Sequence, residues 1–275
     1  MRRNVAVLLL VVFILCIVLL GFFAVYLLYG LFSDSMNPLD GNDVDSVSVA
    51  SWNLQNFGLT KAENESLLEY YVGKISAYDV CVIQEISDPS SHAIVSLAER
   101  LPTYRYVMST PAGQGSSKEQ YALFYNRDVE LLETYDWTTE KQEFFERPPL
   151  EATFQVGNWT FRLWTIHVKV DNVAEELSNL ETLIGSPSQD TIVIGDLNAD
   201  GQNYYEGVLH HFLGWEWVIT SSMDTTVAPS SHAYDRIIIN EAAQNNFVAV
   251  GIMDEVVASQ SDHYLVYGMF KSSVQ

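Results

Sequence analysis

Residues 5–32 contain no charged side chain, and this uncharged run divides the chain into two unequal parts. A bilayer-spanning helix needs about 20 apolar residues, whereas the apolar core of a cleaved secretory signal has about 7–15. Arg2 and Arg3 precede the run, and Asp34 and Asp40 follow it. Because basic residues favour the cytoplasmic side of a span, the pattern predicts a single-pass membrane anchor with the bulk of the chain outside.

This reading predicts three segments. Residues 1–33 form the N-terminal transmembrane anchor, residues 34–46 a polar acidic linker, and residues 47–275 one folded domain. The expected location is the cell membrane, with the domain on the extracytoplasmic side. Cys16 lies within the anchor and Cys81 within the domain, so the two cysteines cannot pair, and the domain is expected to hold together by packing alone.

The charge balance limits the classes of function. The chain has 14 Lys+Arg against 35 Asp+Glu, a formal net charge of −21 at pH 7. A protein that grips nucleic acid through a broad basic face needs Lys and Arg to neutralise phosphates, so this class is disfavoured. Disorder is excluded because 48% of the residues are hydrophobic and can fill a sizeable core.

Short apolar runs rich in Val, Ile, Tyr and Phe predict many β-strands, one of them over residues 160–170, with helical patterns between some of them. The runs CVIQE and TIVIG are apolar on both faces, which is typical of strands covered on both sides of a sheet. Strands clustered around a few helices predict an α/β domain of two packed mixed β-sheets flanked by helices, rather than a doubly wound sheet.

Polar side chains interrupt these apolar strands or flank them. They are Asn53, Glu85, His167, Asp196, Asn198, Asp235, Asp262 and His263. A carboxylate at the end of a buried strand loses hydration unless something pairs with it. Several such groups at one sheet edge imply a cation. Oxygen ligands without cysteine favour Mg²⁺, Mn²⁺ or Ca²⁺ over zinc.

Seven motifs in a fixed order make the chain resemble the endonuclease/exonuclease/phosphatase superfamily, and within it the deoxyribonuclease I family. The motifs are SWNLQNFG, VIQE, KEQY, TIHV, GDLNAD, AYDRIII and SDHYLV. The resemblance covers essentially the whole domain. It implies a four-layered α/β sandwich that hydrolyses phosphodiesters with a divalent metal, Mg²⁺ or Mn²⁺.

The resemblance also implies roles for individual residues. By matched motif, the metal ligands are Asn53, Glu85 and Asp262, and Arg147 contacts the substrate phosphate. The catalytic residues so implied are His167 with its partner Glu119, His263 with its partner Asp235, and the pair Asp196 and Asn198, which orient the attacking water and the phosphate. Two histidines, each oriented by a carboxylate, can serve as opposed proton-transfer groups.

A second cation site is implied in the segment DTTVAPS, where the family binds structural Ca²⁺. Asp224, Thr226 and Ser230 match the family pattern, but Ala228 does not. The alternative is an ordinary loop rich in Ser and Thr, and the sequence leaves both open.

The chain differs from the deoxyribonuclease I family at positions where that family contacts the minor groove of DNA. Gln55, Ser87 and Ser117 stand where an arginine, an arginine and a tyrosine are expected, and Gly201 and His232 occupy the positions of one disulfide. We therefore expect weaker or more salt-sensitive action on duplex DNA, or a different phosphodiester substrate.

Three functions remain open at this stage. The first is a membrane-anchored, metal-dependent endonuclease that hydrolyses DNA. The second keeps the fold and the metal but acts on a phospholipid or another small phosphoester. The third is a non-catalytic binding domain. The expected partners are DNA or another phosphodiester and, through the N-terminal helix, the membrane; no feature of the sequence indicates a protein partner.

Overall fold

The structure is a computed structural model that describes residues 46–115, 117–205 and 210–272. The predicted anchor, residues 1–33, lies outside these ranges, as does nearly all of the predicted linker. Within them, no helix combines the length and the apolar character that a membrane span requires.

The strands and helices alternate irregularly along the chain. The strands in the described residues are β1 Ser46–Phe57, β2 Val80–Ile86, β3 Tyr104–Met108, β4 Gln120–Asn126, β5 Glu130–Asp136, β6 Leu150–Val156, β7 Trp159–Thr165, β8 Asp190–Asp196, β9 Glu216–Trp217, β10 Asp235–Ile239, β11 Phe247–Met253 and β12 Leu265–Lys271. The helices there are α1 Leu59–Ala62, α2 Glu65–Ile75, α3 His92–Glu99, α4 Thr138–Lys141, α5 Val173–Ile184 and α6 Glu241–Gln244, with a 3₁₀ turn at Val170–Asn172.

The strands form two six-stranded sheets. The order is β11-β12-β1-β2-β4-β3 in the first sheet and β5-β6-β7-β8-β10-β9 in the second. The pairs β1–β2 and β7–β8 are parallel, and the other neighbouring strands are antiparallel. The prediction of two mixed sheets is confirmed.

Each sheet has one face against the other sheet and one face under helices. Successive side chains of a strand point to opposite faces, so Val49 of β1 packs between the sheets while Trp52 faces the helical layer of α2 and α3. In the second sheet, Ile192 of β8 packs between the sheets and Val193 faces α5. The layers are therefore helix, sheet, sheet and helix. Burial of the apolar side chains between the two sheets, and between each sheet and its helices, stabilises the fold.

The topology brings the predicted site residues to one edge. The parallel strands β1 and β2 both end at this edge, as do β7 and β8. Strand β10 runs antiparallel to β8, so its first residue, Asp235, pairs with the last residue of β8, Asp196. Strand β12 likewise begins where β1 ends, because those two strands are antiparallel.

Candidate active site

Two histidines at this edge each contact a carboxylate through Nδ1. Nδ1 of His167 lies 2.9 Å from Oε2 of Glu119, and Nδ1 of His263 lies 2.7 Å from Oδ2 of Asp235. Both imidazoles are buried. In each pair the carboxylate fixes the ring, so that Nε2 remains for proton transfer.

Each histidine–carboxylate pair connects the two sheets. The histidine comes from the second sheet in one pair and from the first sheet in the other. His167 follows β7 of the second sheet, and Glu119 precedes β4 of the first. His263 precedes β12 of the first sheet, and Asp235 opens β10 of the second. The geometry of the site therefore depends on how the sheets pack, and not on either sheet alone.

The two Nε2 atoms converge on one carboxylate. Oδ2 of Asp196 lies 3.5 Å from Nε2 of His167 and 3.5 Å from Nε2 of His263. Burial works against ionisation of Asp196, but the charges of His263 and His167 and a hydrogen bond from Asn53 outweigh it and lower the pKa of this carboxyl. Asp196 is thus held as an anion between two proton-transfer groups.

Charge also determines the protonation of the neighbouring groups. Burial disfavours the cationic form of His263, yet Asp235 and Asp196 outweigh it and raise the pKa of His263 to about 10. Burial likewise opposes the ionisation of Glu119, but the hydrogen bond and charge of His167, followed by the charge of Arg147, lower the pKa of Glu119. These two shifts favour the charged forms of His263 and Glu119.

Asn53 connects Glu85 with Asp196. Its Nδ2 donates to Oε1 of Glu85 at 2.8 Å and to Oδ2 of Asp196 at 3.0 Å, and its Oδ1 accepts from the Gln55 backbone N–H at 2.8 Å. The other oxygen of Glu85 accepts from the Asn56 backbone N–H at 2.8 Å. The amide nitrogen of Asn53, rather than its oxygen, faces the carboxylates, and its role as a metal ligand remains a prediction.

The backbone around Glu85 adopts an uncommon conformation. Gln55, Asn56 and Glu85 have φ values of 49°, 56° and 56°, a region that residues with a Cβ rarely adopt. Such strain costs about 1–3 kcal/mol per residue and clusters at functional sites. The conformation turns the end of β1 towards the Glu85 carboxylate.

A divalent cation fits the donors at this edge. One ligand atom each from Glu85, Glu119 and His167 lie within 4.8 Å of one another. Carboxylate oxygens are ligands for hard divalent cations, and the identity of the ion, Mg²⁺ or Mn²⁺, remains a prediction. The third predicted ligand, Asp262, is exposed, and its Oδ1 lies 3.9 Å from Nε2 of His263. Thus the side chain of Asn53 contacts Glu85, whereas the carboxylate of Asp262 lies near His263.

Arg147 contacts the protein around His167. Its Nε donates to the His167 carbonyl oxygen at 3.0 Å, one terminal nitrogen donates to Oε1 of Glu119 at 3.2 Å, and the other donates to the Val168 carbonyl oxygen at 3.4 Å. Five N–H groups are available on a guanidinium. These contacts show that Arg147 supports the His167–Glu119 pair, and its contact with substrate phosphate remains a prediction.

Asn198, two residues after the end of β8, supports the same region. Its backbone N–H donates to Oδ1 of Asp196 at 3.1 Å, and its Nδ2 donates to the Val168 carbonyl oxygen at 3.0 Å. Asn198 has a φ of 48°, which asparagine tolerates better than most residues. The structure thus places Asn198 against Asp196, as the motif implies, while its role towards water or phosphate stays a prediction.

The predicted calcium loop folds around Asp224. Oδ1 of Asp224 accepts hydrogen bonds from the backbone N–H and the hydroxyl of Thr226 and from the His232 backbone N–H. The Thr226 hydroxyl also lies 3.1 Å from the carbonyl oxygen of Ser230. The structure therefore brings the three predicted residues together, and the calcium itself remains a prediction.

Ser261 is a site residue that the sequence analysis does not single out. Its hydroxyl donates to the Asn53 carbonyl oxygen at 2.6 Å and accepts from the His263 backbone N–H at 3.0 Å. It thus ties the end of β1 to the start of the β12 segment. The signal was present, because Ser261 opens the SDH motif.

Lys61 is a second such residue. Its Nζ donates to the carbonyl oxygens of Leu54 and Gln260 at 2.8 and 2.9 Å. Burial lowers the pKa of Lys61, an effect that the charges of Asp262 and Glu85 oppose. It lies in the segment NFGLTKAENESL, but no feature of that segment distinguishes it from a solvated lysine.

The three positions where groove-gripping side chains are missing border this site. Gln55 lies among the last residues of β1 and Ser87 directly follows β2, and both are half-buried. Ser117 is exposed and precedes Glu119 by two positions. None of the three carries a positive charge. These three positions therefore supply no cationic contact to a phosphate backbone, and weaker binding of duplex DNA remains a prediction.

Known proteins share both the sequence pattern and the fold. The chain matches the Endonuclease/Exonuclease/phosphatase family over residues 50–263. Deoxyribonuclease-1 of Homo sapiens is 29% identical over 262 residues, which cover 82% of this chain and 93% of that protein. The solved structure of D. rerio TDP2 complexed with single strand DNA product has a TM-score of 0.61 and 18% identity, covering 82% of this chain and 98% of that one.

A mannosyl-6-phosphatase of Bacteroides thetaiotaomicron has the same fold, with a TM-score of 0.59 and 16% identity over 81% of this chain and 98% of that one. At such identity the structural likeness establishes the fold alone. The family match, which spans most of the domain, goes further. This chain belongs to the endonuclease/exonuclease/phosphatase family, has its sequence likeness to deoxyribonuclease I, and is a hydrolase acting on phosphodiester bonds.

Proposed function

We propose that this chain is a divalent-metal-dependent endonuclease of the deoxyribonuclease I type, held at the membrane with its catalytic domain outside the cell. One observation carries the catalytic part of the proposal. The Nε2 atoms of two histidines, each paired with its own carboxylate, both lie 3.5 Å from Oδ2 of Asp196. The uncharged run in residues 5–32 supports the membrane location.

This geometry suits hydrolysis of a phosphodiester. The reaction needs a base to take a proton from water and an acid to protonate the leaving oxygen. His167 and His263 supply two such groups, and Glu119 and Asp235 stabilise whichever imidazole carries the proton. Asp196, between the two Nε2 atoms, accepts a hydrogen bond from the attacking water and orients it.

A divalent cation would supply positive charge to the phosphoryl oxygens. Glu85 would hold this cation beside the His167–Glu119 pair, since one ligand atom each from the three residues lie within 4.8 Å of one another, while His167 keeps Nδ1 on Glu119 and Nε2 for proton transfer. The substrate phosphate would bind next to this cation. Arg147 and Asn198, which already fix the His167 loop, keep that loop in place while the phosphate enters.

DNA is the favoured substrate because the sequence likeness is to deoxyribonuclease-1 over most of the domain. A second candidate is a phospholipid or another small phosphoester. The observation that favours it is the absence of a cationic side chain at Gln55, Ser87 and Ser117, together with the net charge of −21. The same fold in a mannosyl-6-phosphatase supports this candidate.

The deciding experiment uses the full chain in detergent with Mg²⁺, Mn²⁺ or EDTA. Its substrates are closed circular plasmid, single-stranded DNA, bis-p-nitrophenyl phosphate and a phosphatidylcholine vesicle. Metal-dependent nicking of plasmid that is lost in His263→Ala supports the endonuclease. Hydrolysis of lipid without nicking selects the second candidate, and no hydrolysis of any of these would contradict the enzyme assignment.

A further inference from the structure

The hydroxyl of Tyr121 bridges two segments of the candidate active site. Tyr121 lies on β4 of the first sheet, and its side chain is buried, with 2% exposed. Its Oη accepts a hydrogen bond from the backbone N–H of His167 at 3.0 Å and donates one to the carbonyl oxygen of Arg147 at 3.0 Å. The two bridged segments are the loop after β7, which contains His167, and the turn before β6, which contains Arg147. One oxygen atom therefore connects parts of the chain that are distant in sequence.

His167 needs such support because it lies outside the sheet. Strand β7 ends at Thr165, and the β7–β8 ladder ends with the pair Thr165 and Ile194. The His167 N–H therefore has no strand to donate to, and a buried N–H without a partner is destabilising. Tyr121 supplies the missing acceptor.

Three contacts then restrain His167 from three sides. The Tyr121 hydroxyl holds its backbone N–H, the Arg147 guanidinium holds its carbonyl oxygen, and Glu119 holds its imidazole. Tyr121 also donates to the Arg147 carbonyl oxygen, so it restrains the residue whose guanidinium binds the His167 carbonyl oxygen. Glu119 is two positions before Tyr121, and both thus reach His167 from the KEQY segment.

We propose that Tyr121 is a positioning residue for phosphodiester hydrolysis, and that its hydroxyl sets where the Nε2 atom of His167 lies relative to Asp196. The effect on rate rests on the function proposed above. Tyr121 touches no reacting atom; it acts through His167 and Arg147. A displacement of a catalytic group by about 1 Å can cost about 100-fold in rate.

The test compares Tyr121→Phe with Tyr125→Phe in the full chain. Both tyrosines are buried, lie on the same face of β4 and pack in the core between the sheets. Each variant removes one oxygen and leaves the ring in place. For each protein, kcat, KM, the melting temperature and the hydrogen-exchange rate of the His167 amide are measured.

Tyr121→Phe is expected to lower kcat by about 10- to 100-fold with KM nearly unchanged, and to make the His167 amide exchange faster. Tyr125→Phe is expected to keep kcat and the slow exchange of that amide. Equal losses of kcat in both variants would assign the effect to core packing and overturn the proposal. So would an unchanged kcat in Tyr121→Phe.

The hydrogen-exchange measurement separates this proposal from the proposed function. If the wild-type chain hydrolyses none of the phosphodiesters, the function fails, and the exchange rate of the His167 amide still decides the contact. Slow exchange in the wild type and fast exchange in Tyr121→Phe support the positioning contact. Fast exchange in the wild type itself would refute it without any variant.

Discussion

The Nδ1 atom of His263 lies 2.7 Å from the Oδ2 atom of Asp235, and this contact joins the first β-sheet to the second. The pair His167 and Glu119 joins them again in the opposite sense. A site built in this way is assembled only when the sheets pack. Substitutions that change how the two sheets pack against each other are therefore expected to affect catalysis as well as stability.

Removing either histidine should abolish most activity while preserving the fold. A positioned proton-transfer group contributes about 10²–10⁴-fold in rate, so His167→Ala and His263→Ala should each lose about this much in kcat with Mg²⁺. The matched control is His92→Ala, because His92 is exposed on α3. Plasmid nicking and circular dichroism measure the two properties. An unchanged rate in either site variant would remove that histidine from the mechanism.

Replacing Glu85 by glutamine should weaken the response to metal. The substitution keeps the shape of the side chain but removes the charge at the cluster with Glu119 and His167. We expect Glu85→Gln to raise the Mg²⁺ concentration for half-maximal activity by at least about 10-fold. EDTA should abolish the wild-type activity, and excess Mn²⁺ should restore it. Glu69→Gln, exposed on α2, is the control; an unchanged Mg²⁺ curve in Glu85→Gln would place the metal elsewhere.

The strand-end residues could be predicted from the sequence because a polar group after an apolar strand is visible in one segment. Asp196 follows TIVIG, and the structure places it at the end of β8. The contacts of Arg147 could not be predicted in this way. Its contact with Glu119 depends on how the two sheets pack, because Arg147 precedes β6 of the second sheet and Glu119 precedes β4 of the first.

Two strands also could not be predicted correctly from the sequence, for different reasons. The predicted strand over residues 160–170 is too long: β7 ends at Thr165, because its ladder with β8 ends there and the chain turns to place His167 at the site. Strand β5 escapes prediction for another reason. Its residues, Glu130–Asp136, lie on a sheet edge and are mostly exposed, so no alternation of buried apolar side chains marks it.

Adding one positively charged side chain at the sheet edge that carries the candidate active site should strengthen binding to duplex DNA. Ser87 follows β2 at the catalytic edge, and Ser87→Arg should lower the Kd for duplex DNA. The slope of log K against log salt concentration should steepen by about 0.9 for one new phosphate contact. Ser76→Arg adds the same charge directly after α2, before the opposite end of β2, a strand that is about 20 Å long. This variant should leave the slope unchanged. Equal effects of the two variants would show that net charge alone limits binding.

Calcium should stabilise the domain through Asp224. A site with a Kd of about 10⁻⁴ M contributes about 2.7 kcal/mol when Ca²⁺ is 100 times the Kd, which raises Tm by several degrees. Asp224→Asn should lose this rise, because it removes charge from the group that binds Thr226 and His232. Glu85→Gln should retain it. A wild-type Tm that does not respond to Ca²⁺ would indicate an ordinary loop.

The stability of the α3 region should depend on pH through Asp88. Oδ2 of this buried carboxylate accepts from the Ala93 backbone N–H at 2.9 Å, while Oδ1 accepts from the backbone N–H and hydroxyl of Ser90. Ser91, which precedes the helix, makes no side-chain cap, so Asp88 takes that function. Burial raises the pKa of Asp88, but the hydrogen bonds from Ser90, Ala93 and His92 outweigh it and lower the pKa below the ordinary value.

A lowered pKa means that the unfolded chain binds the proton more tightly than the folded protein does. The stabilisation from Asp88 is therefore complete above about pH 3.9 and is lost as the pH falls through the lower pKa of the folded state. Loss of a helix cap costs about 0.5–2 kcal/mol, so Asp88→Ala should lower the free energy of unfolding by this amount at pH 6. The difference from the wild type should shrink below pH 4, as measured by urea unfolding across this range. Asp128→Ala, at an exposed position, is the control; a difference for Asp88→Ala that is the same at every pH would show that the ionised carboxylate does not stabilise α3.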